Sequence, residues 1–284
     1  MANTAMSDAF GIGDFRVGRV LNQSASVFQR NFPALFVIGI VAYLPLQLFN
    51  LWFATQAQLI SVGAISAAQV GLFAFLFLFV SIVFSMFSQA IILHMAFQNM
   101  RNLSANILDS LKLGLSRFFP LLLLGICIGI LMILVAMAVG LAVGVTALIL
   151  GNTISSVLAG IVAVLLALVA VALLYTMWFV AVAACVVDRR WPFSALRRSA
   201  QLTKGFRWRI FGLILLLLVT STIVSFTVKL LASPLGGIPL TFVAGLTWAA
   251  VIGAFYATVV AVSYHDLRVA KEGMDIEQIA AVFD

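Results

Sequence analysis

Two histidines, His94 and His265, with Asp266 beside the second, are the residues whose types and spacing come nearest to proton chemistry in this chain. A histidine next to a carboxylate can relay a proton or act as a general base, because its neutral and charged forms lie close in energy near neutral pH. The arrangement goes no further. There is no HExxH, GxSxG or CxxC, and no pair of carboxylates within an apolar run, so no spacing holds a zinc ion or sets a nucleophile against its base. Cys127 and Cys185 stand in separate apolar runs, which fits neither a metal site nor a disulfide framework and makes both small packing residues. No metal and no cofactor are expected.

A second polar set is Ser81, Ser85, Ser88 and Gln89, which fall on one face of a helix. Inside a membrane such a stripe joins helices or lines a cavity, and joining is the preferred reading because no charge accompanies it. The small-residue pairs Gly125 and Gly129, then Gly140 and Gly144, are expected to let helices approach closely. The third set is the densest. Asp188 to Gly212 holds seven of the sixteen basic residues, Arg189, Arg190, Arg197, Arg198, Lys204, Arg207 and Arg209, between two long apolar runs.

The elements that must position these residues follow from composition. With 64% hydrophobic and 9% charged residues and a mean hydropathy of +1.21, the chain lies far from soluble domains, which are roughly a quarter charged. Phe118 to Val187 contains no charge at all. The expected fold is all-α: a polytopic membrane protein with six transmembrane helices as three hairpins, each preceded by an amphipathic cytoplasmic surface helix. Spans are expected from Pro33 to Phe53, kinked at Pro45, from Ala67 to Phe97, Phe119 to Leu150, Ile154 to Val187, Trp208 to Ala232 and Leu240 to Tyr264. Ala54–Ser66 and Ser233–Pro239 serve as turns. The first twelve residues have neither a basic n-region nor an apolar core, so no cleavable signal peptide is expected.

The surface segments are Asp14–Arg30, Ser104–Arg117 and the basic stretch, where Phe193 and Leu196 make the apolar side and Arg197, Arg198, Gln201 and Lys204 the polar one. Each ends in a polar, basic, any-residue, Phe signature, and the basic positions Arg30, Arg117 and Lys204 are 87 residues apart. The chain therefore reads as one membrane domain, 1–284, built of pseudo-repeats at about 14–101, 102–189 and 190–268 with a short tail, 269–284. Under this topology fifteen of the sixteen basic residues share one side, with Lys229 alone opposite. The positive-inside rule makes that side, and both termini, cytoplasmic.

At the C-terminal end, VVAVSYHDLRVAKEGMDIEQIA combines an aromatic-acid-Leu-Arg group with Lys-Glu-Gly-x-Asp, and ALRRSAQLTKGFRWRIFGLILLLL forms a central basic segment. Both resemble the membrane domain of bacterial glycerophosphoryl diester phosphodiesterases, and the chain is similar more loosely to the related YciC-type inner-membrane proteins. The resemblance implies a multi-pass protein of the bacterial inner membrane. Nothing corresponds to the phosphodiesterase barrel, so that activity does not follow.

Three readings result. The first is a non-enzymatic accessory or scaffold whose basic cytoplasmic face, through the seven residues named above, contacts anionic lipid, a membrane-protein partner or a second copy of itself. The second is a transporter or lipid-handling protein with a cavity between the repeats, lined by Ser81, Ser85, Ser88 and Gln89. The third is an intramembrane enzyme using His94 or His265. Nucleic acid is not an expected partner, since the basic residues carry no recognisable binding fold.

Overall fold

The computed structural model describes residues 15–61, 67–100, 112, 114–150 and 154–272. The regular elements among them are helices: α1 (Val17–Arg30), α2 (Phe32–Ser61), α3 (Ala67–Met100), α4 (Phe118–Leu150), α5 (Ile154–Trp178), α6 (Ala181–Val186), α7 (Pro192–Thr203) and α8 (Arg207–Glu272). Six stretches are long and apolar enough to cross a membrane: Phe32–Trp52, Phe79–Gln98, Phe118–Ile149, Leu158–Val186, Arg207–Ala232 and Pro239–Glu272. In hydrocarbon no water can satisfy backbone N–H and C=O groups, so such stretches form helices that bond internally.

Helix α8 holds two of these stretches. Its backbone leaves helical geometry at Gly237, where φ is 60° and ψ −147°, a conformation open to a residue without Cβ. The two limbs meet where the Trp248 indole N–H donates to Ser225 Oγ at 2.8 Å.

Element boundaries depart from the sequence expectation in three places. Helix α2 continues beyond Phe53 to Ser61 with Pro45 inside it, since Ala54, Gln56, Ala57 and Gln58 favour helix and no glycine intervenes before Gly63. The second limb of α8 runs past Tyr264 to Glu272, so HDLRVAKE is helical. The fourth expected span is interrupted at Phe179 and Val180. The chain also turns at Asn31, at Arg117 and over Lys204–Phe206, with Gly205 at φ 95°. Most of the expected surface segment Ser104–Arg117 lies outside the described residues.

The core gathers at one end of the molecule. All six residues of α6 are buried, as are the eight consecutive residues Ala257–Tyr264 of α8. A helix buried on every side needs protein around its whole circumference, and here α1, α3 and α7 supply it. Phe97 of α3 meets the Tyr264 ring edge-on. Helix α1 follows the second limb of α8 in the opposite direction, tied by Arg19 to Asp266 near its start and by Phe28 to Phe255 near its end. At the other end the helices present Leu134, Met137, Leu141, Leu148, Leu165 and Leu230 outward, as lipid-facing surfaces do.

Close helix approach depends on glycines other than those singled out from spacing. A Cβ on Gly39 of α2 would sit 2.8 Å from the Ala250 carbonyl oxygen, and one on Gly253 only 2.3 Å from the Tyr43 ring. Gly125 and Gly129 are buried, but Cβ atoms on Gly140 and Gly144 would meet nothing within 4 Å. The expectation of a close helix contact at Gly140 and Gly144 is therefore corrected: that part of α4 faces outward.

Candidate functional site

The site is built around α7. Trp191 is extended before it and Pro192 occupies its first turn, where a missing N–H is no loss and the fixed φ suits the helix. Pro192, Ala195, Ser199, Leu202 and Thr203 are buried, at the spacing of one helical face. Of the two residues assigned to the apolar side of this segment, Leu196 is partly buried and Phe193 is 70% exposed. Small residues pack inward because α7 lies against the interruption between α5 and α6. The Ser199 hydroxyl donates to the Met177 carbonyl at 2.7 Å, and the Thr203 hydroxyl approaches the same oxygen at 3.4 Å. In an unbroken helix that carbonyl would accept from the amide of residue 181. The basic segment thus supplies the hydrogen bonds that an interrupted apolar helix would otherwise lack.

On the next face of α7, Arg198 enters a closed ion-pair ring. It pairs with Glu272 and, at 3.5 Å, with Asp188. Arg268 lies 3.6 Å from Asp188 and 3.2 Å from Glu272, and Arg190 approaches Asp188 at 3.7 Å. The Asp188 side chain is 13% exposed and that of Arg198 18%. A carboxylate so far from water is costly to bury without cationic partners, and three arginines provide them. Burial alone would lower the Arg198 pKa, but its hydrogen bond to Glu272 and the charges of Glu272 and Asp188 carry it above the ordinary arginine value. Arg268 also lies over the Tyr264 ring, 5.9 Å from its centroid.

A second pair fixes α1. Arg19 donates to Asp266 Oδ2 from Nε at 3.2 Å and approaches it from Nη2 at 3.1 Å. His265 Nδ1 lies 3.8 Å from Oδ1 of the same carboxylate. The histidine–aspartate pair noted in the sequence is therefore joined to an arginine that holds α1 on α8. His94 meets Gln98 at 3.5 Å, one helical turn away. Arg209 donates to the Phe15 carbonyl at 2.9 Å and lies over the Phe206 ring, as does Lys271. Among the described residues no group of three or more His, Cys, Asp or Glu could hold a metal ion. Cys127 and Cys185 are both free thiols.

The seven basic residues selected from sequence thus separate. Arg198 is held in the ring, Arg209 binds a carbonyl, and Arg207 is half-buried with its Nε out of reach of solvent. Arg189, Arg190, Arg197 and Lys204 are exposed, with Arg189 at φ 52° in the turn before α7. Around them are large exposed aromatics, Trp191 at 71% and Trp208 at 84% as well as Phe193. Sequence reading missed Ser199, Thr203, Arg268 and Glu272. The signal for the first two was their i, i+4 spacing on the face with Ala195.

Of the polar stripe, Ser88 is fully buried and donates to the Ala42 carbonyl at 2.8 Å, joining α3 to α2. Ser81, Ser85 and Gln89 are partly buried along the same helix. A cleft of about 440 Å³ opens elsewhere, between α1 and the two limbs of α8, with Leu21, Phe28, Leu217, Trp248 and Phe255 in its walls.

Six apolar spans around a charge-rich, protein-enclosed end define a polytopic α-helical membrane protein. The chain belongs to the family described as Domain of unknown function (DUF7847), whose model matches residues 15–267. No curated protein and no solved structure matches it.

Proposed function

We propose that this protein is a non-enzymatic accessory or scaffold of the bacterial inner membrane, with both termini in the cytoplasm, whose basic end engages anionic lipid headgroups. The observation that carries the reading is the split within the basic segment. Arg198 is consumed by Asp188 and Glu272 and Arg190 leans on Asp188, whereas Arg189, Arg197 and Lys204 stay exposed among Trp191, Phe193 and Trp208. Indole rings favour headgroup depth, and each well-placed cation attracts an anionic leaflet by about 1 kcal/mol. The likeness to the phosphodiesterase membrane domain and the 87-residue recurrence agree with this reading and belong to the proposal.

The test changes Arg189, Arg197 and Lys204 together to Gln in the full chain, leaving Arg190 in place beside Asp188. After purification in mild detergent, the retained ratio of anionic to zwitterionic phospholipid is measured. A severalfold fall at an unchanged melting temperature supports the proposal, and an unchanged ratio overturns it.

A second reading, a lipid-handling protein, is favoured by one observation, the apolar cleft beside α1. Its location differs from the Ser81–Gln89 stripe on which the sequence placed a cavity.

A further inference from the structure

We infer that the cleft between α1 and the two limbs of α8 is a binding site for one acyl chain of an anionic phospholipid, with the headgroup phosphate held at Gln29 and Arg30. The inference rests on the lipid-handling reading and adds to it a place, a ligand class and the residues that select the ligand.

The chemistry of the walls argues for a chain of methylenes. Leu21, Ala25 and Phe28 of α1 face Leu217 of the first limb and Trp248 and Phe255 of the second. Trp248 brings an N–H into this region, but that hydrogen is given to Ser225, so the indole lines the cleft without a spare donor. Phe28 lies edge-on to Phe255, 5.7 Å between centroids, and closes the wall between α1 and α8. A polar solute would surrender its hydration here without replacement, whereas an alkyl chain loses nothing and gains contact. At about 440 Å³ the space falls within the size range of small-molecule sites.

Charge argues for an anionic headgroup. Gln29 borders the cleft and Arg30 follows it, both exposed, at the end of α1 where the chain turns into α2. Residues 17–33 contain four polar amides and two arginines but no acid. Of the arginines, Arg19 is matched by Asp266, so the uncompensated positive charge of α1 falls at Arg30. A guanidinium with a neighbouring carboxamide suits a phosphate oxygen pair. An acyl chain seated between Leu21 and Phe255 would place its headgroup at the helix end beside that pair.

Photolabelling in membranes tests this. The full chain is reconstituted in phosphatidylcholine vesicles that contain a trace of phosphatidylglycerol carrying a diazirine on one acyl chain. A parallel preparation carries the same chain on phosphatidylcholine. After illumination, labelled peptides are mapped by mass spectrometry. Label should concentrate on residues 21–29 and 248–255, with the anionic probe favoured about fivefold, the ratio expected of one well-placed cation.

Ala25→Trp and, from a different helix, Thr220→Phe fill the cleft, and each should cut that labelling severalfold. Arg30→Gln should abolish the preference for the anionic probe. Label spread evenly over all lipid-facing helices, or unaffected by both filling substitutions, overturns the site. Equal labelling by the two probes in the wild-type chain overturns the headgroup assignment. A photoreactive residue placed at Gln29 that crosslinks to a second protein copy, and not to lipid, overturns the choice of occupant. The triple Gln variant of the α7 face should leave cleft labelling intact, so loss of the α7 proposal and loss of this one register separately.

Discussion

The Arg198 guanidinium of α7 donates to the Glu272 carboxylate in the final turn of α8, across 74 positions of sequence, and also reaches Asp188 in the connection before α7. One side chain therefore ties the basic segment, its preceding turn and the C-terminal end of the last membrane helix into a single body.

Breaking that body by removing a carboxylate should cost stability, because the arginines gathered around it would be left close together and short of counter-charge. Asp188→Asn, which faces Arg190, Arg198 and Arg268, should destabilise by about 2 kcal/mol and Glu272→Gln by somewhat less, since both sites retain some solvent. Arg197→Gln, exposed on the same helix, should change stability by no more than about 0.5 kcal/mol. Thermal unfolding of the detergent-solubilised protein checks the order: Asp188→Asn melting no lower than Arg197→Gln would refute it.

Ser199→Ala should weaken the docking of α7 by about 1 kcal/mol, the net worth of a typical hydrogen bond, and more where the Met177 carbonyl is left without an acceptor role. Thr203→Val should cost less, because its contact with that oxygen is longer. A double substitution should exceed the sum, since either hydroxyl can partly replace the other. Limited trypsin digestion reads the effect directly, as cleavage after Arg197, Arg198 and Lys204 accelerates when α7 lifts off. Equal digestion rates for wild type and the double variant would rule out this docking.

Glycine substitutions should divide by position along the helices. Gly39→Ala forces a methyl toward the backbone oxygen of Ala250, and Gly253→Ala forces one into the Tyr43 ring, so each should cost about 1–3 kcal/mol through overpacking. Gly140→Ala and Gly144→Ala meet open space and should be neutral or slightly stabilising, since alanine favours helix over glycine. The comparison is made by melting temperature across the four variants.

Trp191 and Trp208 should sit at headgroup depth on the basic side. In chains where all other tryptophans are changed to Phe, fluorescence from either should be quenched more by phospholipid brominated near the carbonyl end of its acyl chain than by one brominated near the terminal methyl. The reverse order would place α7 away from the interface.

Membrane class and the six spans were legible because hydrocarbon demands long apolar helices, and composition alone reports them. The exposed cations Arg189, Arg190, Arg197 and Lys204 were legible for the same reason: charge clusters outside the spans are visible in any linear reading. The role of Arg198 was not, since nothing near it in sequence announces Glu272. Gly140 and Gly144 had the right spacing and the wrong surroundings, whereas Gly39 had no distinguishing spacing and Gly253, in the small-residue series Gly245, Ala249, Gly253 and Ala257, went unnoticed; both matter through their neighbours. A periodic pattern states which residues share a helix face, but says nothing of what that face meets.

The sequence by itself therefore determined the solvent of this protein, its helical class and the side on which its charge collects, all properties that add residue by residue. Only the tertiary structure decided which arginine is spent inside and which remain outside, where the interrupted helix recovers its hydrogen bonds, and where a cleft opens beside α1. Those outcomes depend on pairs of groups far apart in the chain, and their energies exist only once packing has brought the partners within a few ångströms and away from water.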